Sequence, residues 1–253
     1  MSHGNGFPHP PVVMMVMPVY NEKENILEMI SNISEARGAS KNWDLQVLFV
    51  DDSSPDGTAD EIREIMKSEE WISLLERPEK EGLGVAYING FRHALEIFSP
   101  DYVGQMDSDL SHNPTDITPM MESLSNGSNV AIGSRYTSGG SIQGWPLKRR
   151  VISRGANLVA RIFGGIIGVK DCTAGFRIIE SSLLRKALDS TEIPVVGYSF
   201  QIHLLHALIA NGAKVGEVPI IFKERVNGIS KLGNGDIFEY FFSVSKLRMK
   251  KYK

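Results

Sequence analysis

Short apolar runs that alternate with amphipathic segments constrain the fold of this chain more than any other feature. Five of these runs are predicted to be strands: Val12–Met17, Leu45–Val50, Ile72–Leu75, Tyr102–Met106 and Asn129–Gly133. Because the runs are short and mostly apolar, they are typical of strands that are buried on both faces of a sheet. Apolar residues at helical spacing lie between them. The pattern therefore predicts an α/β fold with a doubly wound, mainly parallel sheet.

Polar residues follow four of the predicted strands. They are Pro18–Glu22, Asp51–Asp52, Asp107–Asp109 and Arg135. In open α/β sheets, ligands bind beyond the carboxyl ends of the strands. The four groups are therefore expected to meet at one rim of the sheet and to form a binding site there.

Local signals predict the limits of individual elements. Thr58 and Glu61 have the spacing of a capping box, which predicts a helix that Thr58 caps with its side chain. A further helix is expected over Val85–Phe98, and a loop over the Gly-rich stretch Ser138–Pro146. The segment Leu147–Phe163 is expected to form a basic amphipathic helix.

The size of the chain predicts one domain. With 253 residues and 42% hydrophobic content, it has enough apolar residues for one sizeable core. We expect a disordered Gly/His/Pro-rich tail over residues 1–11, a single α/β domain over 12–235 and a helix over 236–253. The net charge of −3 gives no reason to expect a nucleic acid partner.

Composition also bears on the compartment. The single cysteine, Cys172, excludes an internal disulfide and fits a reducing compartment. The N-terminus lacks the apolar region of a signal peptide, and no apolar run approaches the roughly 20 residues of a membrane span. Basic residues are concentrated between Lys148 and Arg177, where the only acidic residue is Asp171. This cluster favours an anionic partner, and a solvated basic face is the alternative.

Asp107, Asp109 and Ser111 form the strongest candidate metal site. Alternation along an extended chain would place the two carboxylates on the same side. Carboxylate and hydroxyl oxygens suit Mg²⁺ or Mn²⁺, with waters and a diphosphate completing the shell. The alternative interpretation is a loop in which both aspartates accept hydrogen bonds from nearby N–H groups.

These motifs resemble those of family-2 glycosyltransferases of the dolichol-phosphate mannosyltransferase type, which have a single-domain, Rossmann-like GT-A fold. The resemblance extends from Met17 to about Gly235 and rests on Pro18–Glu22, Asp51–Thr58, Asp107–His112, Gly133–Tyr136, Trp145–Asn157, Gly175–Arg177 and Arg225–Leu232. The Trp145–Asn157 and Arg225–Leu232 stretches are the most specific. The chain departs from the pattern at Ser108, where alanine is usual, and at Asn227, where an aromatic residue is common.

The resemblance implies a role for each matching residue. Metal ligands would be Asp107, Asp109 and Ser111. The nucleotide-sugar site would comprise Pro18, Tyr20, Glu22, Val50, Asp52, Asp107, Ser108, Asp109, Arg135, Arg225 and Lys231. Arg149 and Ser153 would receive the acceptor phosphate, so Asp109, Arg135, Arg149 and Ser153 are the expected catalytic residues. For the neighbouring Arg149 and Arg150, a surface pair without function is the alternative.

The reaction implied by the resemblance is transfer of mannose from GDP-mannose to dolichyl or polyprenyl phosphate. Inversion at the sugar carbon would give the lipid-phosphate mannose and GDP, with Mg²⁺ or Mn²⁺ as cofactor. The same reaction with a UDP-hexose donor is an alternative. A phosphatase of the haloacid-dehalogenase kind also fits the Asp107-x-Asp109 spacing, but that class carries the motif on its first strand. A non-enzymatic scaffold subunit is a third alternative.

The acceptor implies a membrane partner. We expect a peripheral protein on the cytosolic face of a membrane, which is the endoplasmic reticulum in a eukaryote or the plasma membrane in a prokaryote. Leu147–Phe163 and the C-terminal helix, with Phe238, Phe241 and Phe242 before a basic end, are candidate interfacial segments. Packing of these apolar residues on the protein's own core is the alternative. A small membrane subunit or a C-terminal anchor would be a further means of attachment.

Overall fold

The structure, a computed structural model, describes residues 9–194, 199–224, 243–244 and 246–247. Its strands are β1 (Val12–Val19), β2 (Asp44–Asp51), β3 (Ile72–Glu76), β4 (Tyr102–Gln105), β5 (Val130–Ser134), β6 (Ser141–Gln143), β7 (Arg177–Glu180), β8 (Val215–Pro219) and β9 (Ile221–Lys223). Its helices are α1 (Lys23–Gly38), α2 (Thr58–Met66), α3 (Leu83–His93), α4 (Ile117–Ser125), α5 (Leu147–Ile162), α6 (Ser181–Ser190) and α7 (Phe200–Ala210).

Seven strands form one sheet in the order β3-β2-β1-β4-β7-β5-β8, while β6 and β9 pair separately. All neighbours in the large sheet are parallel except β7, which is antiparallel to both β4 and β5. The predicted mainly parallel, doubly wound sheet is thus confirmed. Arg177, the first residue of β7, pairs with Gln105 near the end of β4 and with Ile132 in β5. The turn before β7 therefore enters the rim where the parallel strands end.

Alternation along β1 explains why both faces of the sheet are covered. Met14 and Val16 belong to one apolar core, which α3, α6 and α7 cover. Met15 and Met17 point to the other face and belong to a second core with α1 and α4. On the first face, α3 approaches closely at Gly90, where an added Cβ would lie 2.5 Å from Val16 Cγ1. This close approach packs α3 tightly against β1 and β2.

Two of the predicted elements differ in detail from the structure. The helix expected over Val85–Phe98 is α3 followed by a π-helical turn over Ala94–Phe98. The loop expected over Ser138–Pro146 contains β6, because its backbone pairs in parallel with β9. The sequence yielded no prediction for the segment that forms helix α6.

The expected capping box at Thr58 is also wrong. Helix α2 begins at Thr58, but the residue at the cap position is Gly57, in a left-handed conformation. The Asp56 carboxylate accepts hydrogen bonds from both the amide and the hydroxyl of Thr58 (3.0 and 2.6 Å). The Thr58 hydroxyl in turn accepts a hydrogen bond from the amide of Glu22, which connects the loops after β1 and β2.

Parts of the predicted tail and C-terminal helix lie outside the described residues, namely 1–8 and all of 236–253 except 243–244 and 246–247. The same holds for Arg225 and Lys231. Across the described part of the chain, the helices are too short or too polar to cross a bilayer.

Candidate active site

The site lies at the topological switch point between β1 and β4, where chain connections leave in opposite directions. The hydroxyl of Ser108 donates a hydrogen bond to the carbonyl oxygen of Pro18 (3.0 Å) and joins the ends of the two strands. Asn21 adopts a left-handed conformation (φ 58°), and its amide donates to the Ser54 hydroxyl (3.1 Å). These contacts fix the loops after β1, β2 and β4 relative to one another.

Asp107 and Asp109 lie beyond the end of β4, in a bent segment rather than on an extended strand. The argument from alternation along an extended strand therefore does not apply to them, because the strand ends at Gln105 and the chain bends from Ser108 onward. Both carboxylates nevertheless act electrostatically on the same buried neighbours, Tyr87 and His112. The two aspartates thus lie near the same buried side chains, although they are not on an extended strand as the periodicity predicts.

Two buried neutral groups hold the Asp107 segment. The phenol of Tyr87 donates to the Asp107 carboxylate (3.4 Å), and its ring stacks on Phe200. Burial and the adjacent Asp107 charge raise the pKa of Tyr87 well above its usual value, so the phenol keeps its proton. His112 accepts a hydrogen bond at Nδ1 from the Asp107 amide (3.3 Å). Burial lowers the pKa of His112 despite the nearby carboxylates, so the ring is neutral at neutral pH.

The donor set fits a hard divalent cation. Asp109 Oδ1 accepts a hydrogen bond from the backbone amide of Ser111 (3.1 Å), which fixes that carboxylate against the Ser111 backbone. Within the described ranges, the buried Ser111 Oγ has no hydrogen-bond partner, which leaves an oxygen available as a ligand. Those ranges contain no group of three His, Cys, Asp or Glu side chains arranged around a metal position. Waters or a ligand diphosphate would therefore have to complete an oxygen shell of the kind that Mg²⁺ and Mn²⁺ take.

The loop after β3 adds two basic residues that sequence reasoning missed. Arg77 donates to the Asp52 carboxylate (2.7 Å), and both side chains are buried. Burial raises the pKa of Asp52, although the Arg77 charge opposes the shift. Lys80 lies over the ring of Tyr20, with Nζ 3.4 Å from the ring centroid. The sequence could have indicated Arg77 and Lys80, because both follow directly after the third parallel strand and so lie at the same rim as the recognised motifs.

Glu22 and Val50 differ in their exposure. Glu22 is partly exposed, and its carboxylate accepts a hydrogen bond from the Asn25 amide group (2.6 Å). Val50 is fully buried, and its side chain packs against α3 at Gly90. The Val50 side chain thus belongs to the core instead of lining an open pocket.

Arg135 forms a buried ion pair that the sequence did not reveal. Its Nε and Nη2 donate to the two carboxylate oxygens of Asp171 (2.8 and 2.7 Å), and Nη2 also donates to the Thr173 hydroxyl (2.8 Å). Burial acts to raise the pKa of Asp171, but the Arg135 charge and hydrogen bonds outweigh it and lower that pKa. Asp171 thus remains ionised and fixes the orientation of the guanidinium.

Arg149 and Ser153 lie one turn apart on α5, facing an aromatic cluster. The Arg149 guanidinium stacks on Trp145, 3.9 Å from the ring centroid, and forms an ion pair with Glu224. Ser153 Oγ accepts a hydrogen bond from the Tyr136 hydroxyl (2.8 Å). The predicted anion-binding pair is therefore held by groups that follow β5 and β9.

The turn before β7 packs against the end of β4 and the Asp107 carboxylate. Gln105 donates to the Gly175 carbonyl (2.9 Å), and an added Cβ on Gly175 would lie 3.6 Å from the Asp107 carboxylate. Arg177 is fully buried and donates to the carbonyl oxygens of Gln201 and Cys172 (2.7 and 2.8 Å). Burial lowers the pKa of Arg177 to about 10. At neutral pH it therefore stays charged close to the acidic segment.

Comparison with known proteins identifies the class of this chain as a glycosyltransferase. Residues 14–188 match the family described as Glycosyl transferase family 2, so the chain belongs to that family. The haloacid-dehalogenase alternative is therefore wrong.

Three curated relatives are more specific. The chain is 37% identical to a polyprenol monophosphomannose synthase of Mycolicibacterium smegmatis over 92% of its own length and 85% of the relative's. It is 36% identical to an undecaprenyl-phosphate mannosyltransferase of Micrococcus luteus, over 92% and 93% of the two chains. It is also 36% identical to a dolichol-phosphate mannosyltransferase of Pyrococcus furiosus, over 93% of this chain but only 63% of that protein.

Solved structures with low sequence identity share the fold. A mannosyltransferase of Pyrobaculum calidifontis in complex with GDP-Man and Mn²⁺ has a TM-score of 0.64 at 17% identity, covering 97% of this chain and 67% of that one. A glucosyl-3-phosphoglycerate synthase of Mycobacterium tuberculosis with Mn²⁺ and UDP has a TM-score of 0.66 at 18% identity, covering 94% and 80%. The expected GT-A architecture is thereby confirmed.

Proposed function

We propose that this chain is an inverting mannosyltransferase that moves mannose from GDP-mannose to a dolichyl or polyprenyl phosphate. The observation that carries the proposal is its 36–37% identity, over more than nine-tenths of its length, to three proteins named for mannosyl transfer to such lipids. The products are the lipid-phosphate mannose and GDP.

The donor occupies the rim between β1 and β4. Asp107, Asp109 and Ser111 would hold Mg²⁺ or Mn²⁺, and the bound metal would supply positive charge to stabilise the leaving nucleotide diphosphate. The nucleotide lies against the loops after β1 and β2, near Tyr20 and Asp52. The unpartnered Ser111 hydroxyl next to Asp109 supports this placement. Arg225 and Lys231 keep their proposed phosphate-binding roles on sequence grounds, since both lie outside the described residues.

The acceptor phosphate binds at Arg149 and Ser153. A phosphate monoester has a second pKa near ~6 and is largely dianionic at neutral pH, so its oxygen attacks without a general base. The chain's task is to hold that oxygen in line with the sugar carbon and to stabilise charge. Trp145 supports this role because it fixes the plane of the Arg149 guanidinium. Arg135 contributes positive potential from a position fixed by Asp171.

The lipid acceptor places the protein at a membrane. We infer that it acts as a peripheral protein on the cytosolic face, where nucleotide sugars are available, through its own surface or a small membrane subunit.

Calorimetry on variants of the full chain tests the division into two phosphate sites. Asp109→Ala should lose binding of GDP-mannose in the presence of Mn²⁺, whereas Arg149→Ala should bind it as the wild type does. Both variants should fail to transfer mannose to polyprenyl phosphate. If Arg149→Ala lost donor affinity as severely as Asp109→Ala, the assignment of Arg149 to the acceptor would be wrong.

A further inference from the structure

Tyr136 and Ser153 form a pair of hydroxyl groups at the proposed acceptor site. Tyr136 lies two residues beyond the end of β5, and Ser153 lies on α5, one turn after Arg149. The phenol donates a hydrogen bond to Ser153 Oγ (2.8 Å). Both residues are partly exposed, so a ligand can reach them. The contact thus joins β5 to α5 at the atom that we assign to the acceptor phosphate.

The direction of this hydrogen bond determines where the Ser153 proton can go. A serine hydroxyl has one proton to donate and two lone pairs that accept. Because one lone pair accepts the phenol proton, the serine proton points away from Tyr136. In many helices that proton goes to the carbonyl oxygen one turn earlier. Within the part of the chain that the structure describes, however, Ser153 Oγ makes no hydrogen bond other than the one with Tyr136.

Asn157 fixes the backbone of the turn that carries Ser153. Its side-chain amide donates to the Ser153 carbonyl oxygen (2.9 Å) and to the Thr173 hydroxyl (3.0 Å). Asn157 Oδ1 accepts hydrogen bonds from the amides of Cys172 and Thr173 (2.6 and 3.3 Å). Asn157 is buried, and the same Thr173 hydroxyl accepts a hydrogen bond from Arg135. This turn of α5 is therefore held against the loop that orients Arg135.

The ring of Tyr136 is restrained by two guanidinium groups. The Cζ atoms of Arg135 and Arg154 lie 5.6 and 6.0 Å from the ring centroid. Cations at such distances from an aromatic face are attracted to it. The two groups also bring positive charge close to the hydroxyl pair, which suits an anionic ligand. With the ring and the α5 turn both held, the phenol approaches Ser153 Oγ from a fixed direction.

We propose that Tyr136 is a positioning residue for the acceptor, because its phenol directs the Ser153 proton toward an oxygen of the polyprenyl phosphate. The inference rests on the proposed function, which assigns the acceptor phosphate to Arg149 and Ser153. A hydroxyl that accepts one hydrogen bond becomes a stronger donor in the next. Tyr136 acts through Ser153 and does not touch the phosphate itself. Its effect should therefore vanish when Ser153 lacks its hydroxyl.

Calorimetry on the full chain with a short-chain, water-soluble polyprenyl phosphate tests the proposal. Tyr136→Phe removes only the phenol hydroxyl and should raise Kd about fivefold. Ser153→Ala removes the hydrogen bond to the charged phosphate and should raise Kd about tenfold. The matched control, Tyr102→Phe, changes a partly buried tyrosine at the start of β4, at the opposite end of that strand from the site. It should bind the lipid phosphate as the wild type does.

The double variant separates positioning from a general structural effect. If Tyr136 acts only through Ser153, the combined changes should raise Kd about tenfold, as Ser153→Ala does alone, whereas independent effects would multiply to about fiftyfold. In steady-state kinetics, Tyr136→Phe should raise KM for the acceptor and leave kcat nearly unchanged. The single and double variants should bind GDP-mannose as the wild type does, which a loss of folding would not permit.

Several results would overturn the positioning proposal. They are a wild-type Kd in Tyr136→Phe, losses that multiply in the double variant, and a parallel loss of GDP-mannose affinity. Absence of wild-type binding to the lipid phosphate would overturn it as well, because Ser153 would then not receive this ligand. Binding of the lipid phosphate without transfer of mannose to it would instead refute the proposed function and leave the Tyr136 result in place.

Discussion

Arg149 forms an ion pair with Glu224 while its guanidinium lies flat on the ring of Trp145. The two charged residues are 75 positions apart in the sequence and meet because β9 pairs with β6, immediately before Trp145. The Glu224 carboxylate is therefore paired with the Arg149 guanidinium, which we assign to binding of the acceptor phosphate. Since a carboxylate and a phosphate compete for the same donors, Glu224 should weaken acceptor binding.

Replacing Glu224 tests this competition. Glu224→Gln keeps a hydrogen-bond acceptor for Arg149 but removes the negative charge, so we expect KM for polyprenyl phosphate to fall about threefold. The value of kcat and the affinity for GDP-mannose should change little. Steady-state kinetics with varied acceptor measures the effect, and Glu122→Gln, on the exposed surface of α4, is the control. A rise in KM would mean that Glu224 orients Arg149 instead of competing for it.

The buried pair of Arg135 and Asp171 should matter for stability. Asp171→Ala leaves the Arg135 charge buried without its partner and should lower the free energy of unfolding by about 3–5 kcal/mol. Urea denaturation measures the change. The matched control is Asp44→Ala, which breaks an exposed ion pair with Arg37 and should cost less than about 1 kcal/mol. Similar losses in the two variants would contradict the assignment of a buried, fixed pair.

Asp116 gives a pH-dependent prediction. Burial raises its pKa from 3.8 to about 6, so the folded state binds this proton more tightly than the unfolded state does. The group therefore destabilises the fold above its folded pKa, and the penalty declines as pH falls from that value toward its unfolded pKa. Asp116→Asn should unfold a few degrees higher, by about 2–4 °C, near neutral pH.

The Asp116→Asn advantage should shrink as the medium is acidified to about pH 5, because the wild-type carboxyl is then largely protonated in the folded state. Thermal unfolding followed by circular dichroism at several pH values measures it. Glu35→Gln removes an exposed carboxylate from α1 and should show no such trend. A pH-independent difference for Asp116→Asn would contradict the burial argument.

The metal assignment makes a separate prediction. Wild-type transfer should require Mg²⁺ or Mn²⁺ and stop in excess chelator. Asp109→Ala should lower kcat/KM by about a hundredfold or more, because diphosphate charge is left uncompensated. Ser111→Ala should raise the metal concentration needed for half-maximal activity while leaving the fold intact. Undiminished activity in chelator would remove Asp109 and Ser111 from this role.

The rim itself was predictable from the sequence. Polar residues that follow apolar parallel strands lie at the carboxyl edge of the sheet, where ligands bind. The sequence therefore predicts correctly that Pro18, Asp52 and Asp107 lie at this one edge. The backbone conformation that places the Asp107 and Asp109 carboxylates was not predictable. Asp107 and Asp109 lie in a bent segment after β4, and nothing in an alternating pattern indicates that the strand ends before them.

The partners of the candidate residues depend on tertiary structure. Arg77 pairs with Asp52 across 25 positions, and Asp171 pairs with Arg135 across 36. Which residues pair over such long sequence separations depends on the order of the strands in the sheet. A single sequence does not specify these individual pairs. The failed capping box at Thr58 has a local cause, since the Thr58 hydroxyl donates to Asp56 and accepts from the Glu22 amide instead of capping α2.

Transfer of radiolabelled sugar to lipid tests the central claim most directly. The full chain is incubated with Mn²⁺, polyprenyl phosphate and, in separate reactions, labelled GDP-mannose, UDP-glucose or UDP-galactose, and the lipid phase is extracted. We predict label in the lipid phase from GDP-mannose only, in a product that mild acid cleaves to mannose, and none when polyprenol replaces its phosphate. Label from a UDP-hexose alone, or no lipid product from any donor, would contradict the account.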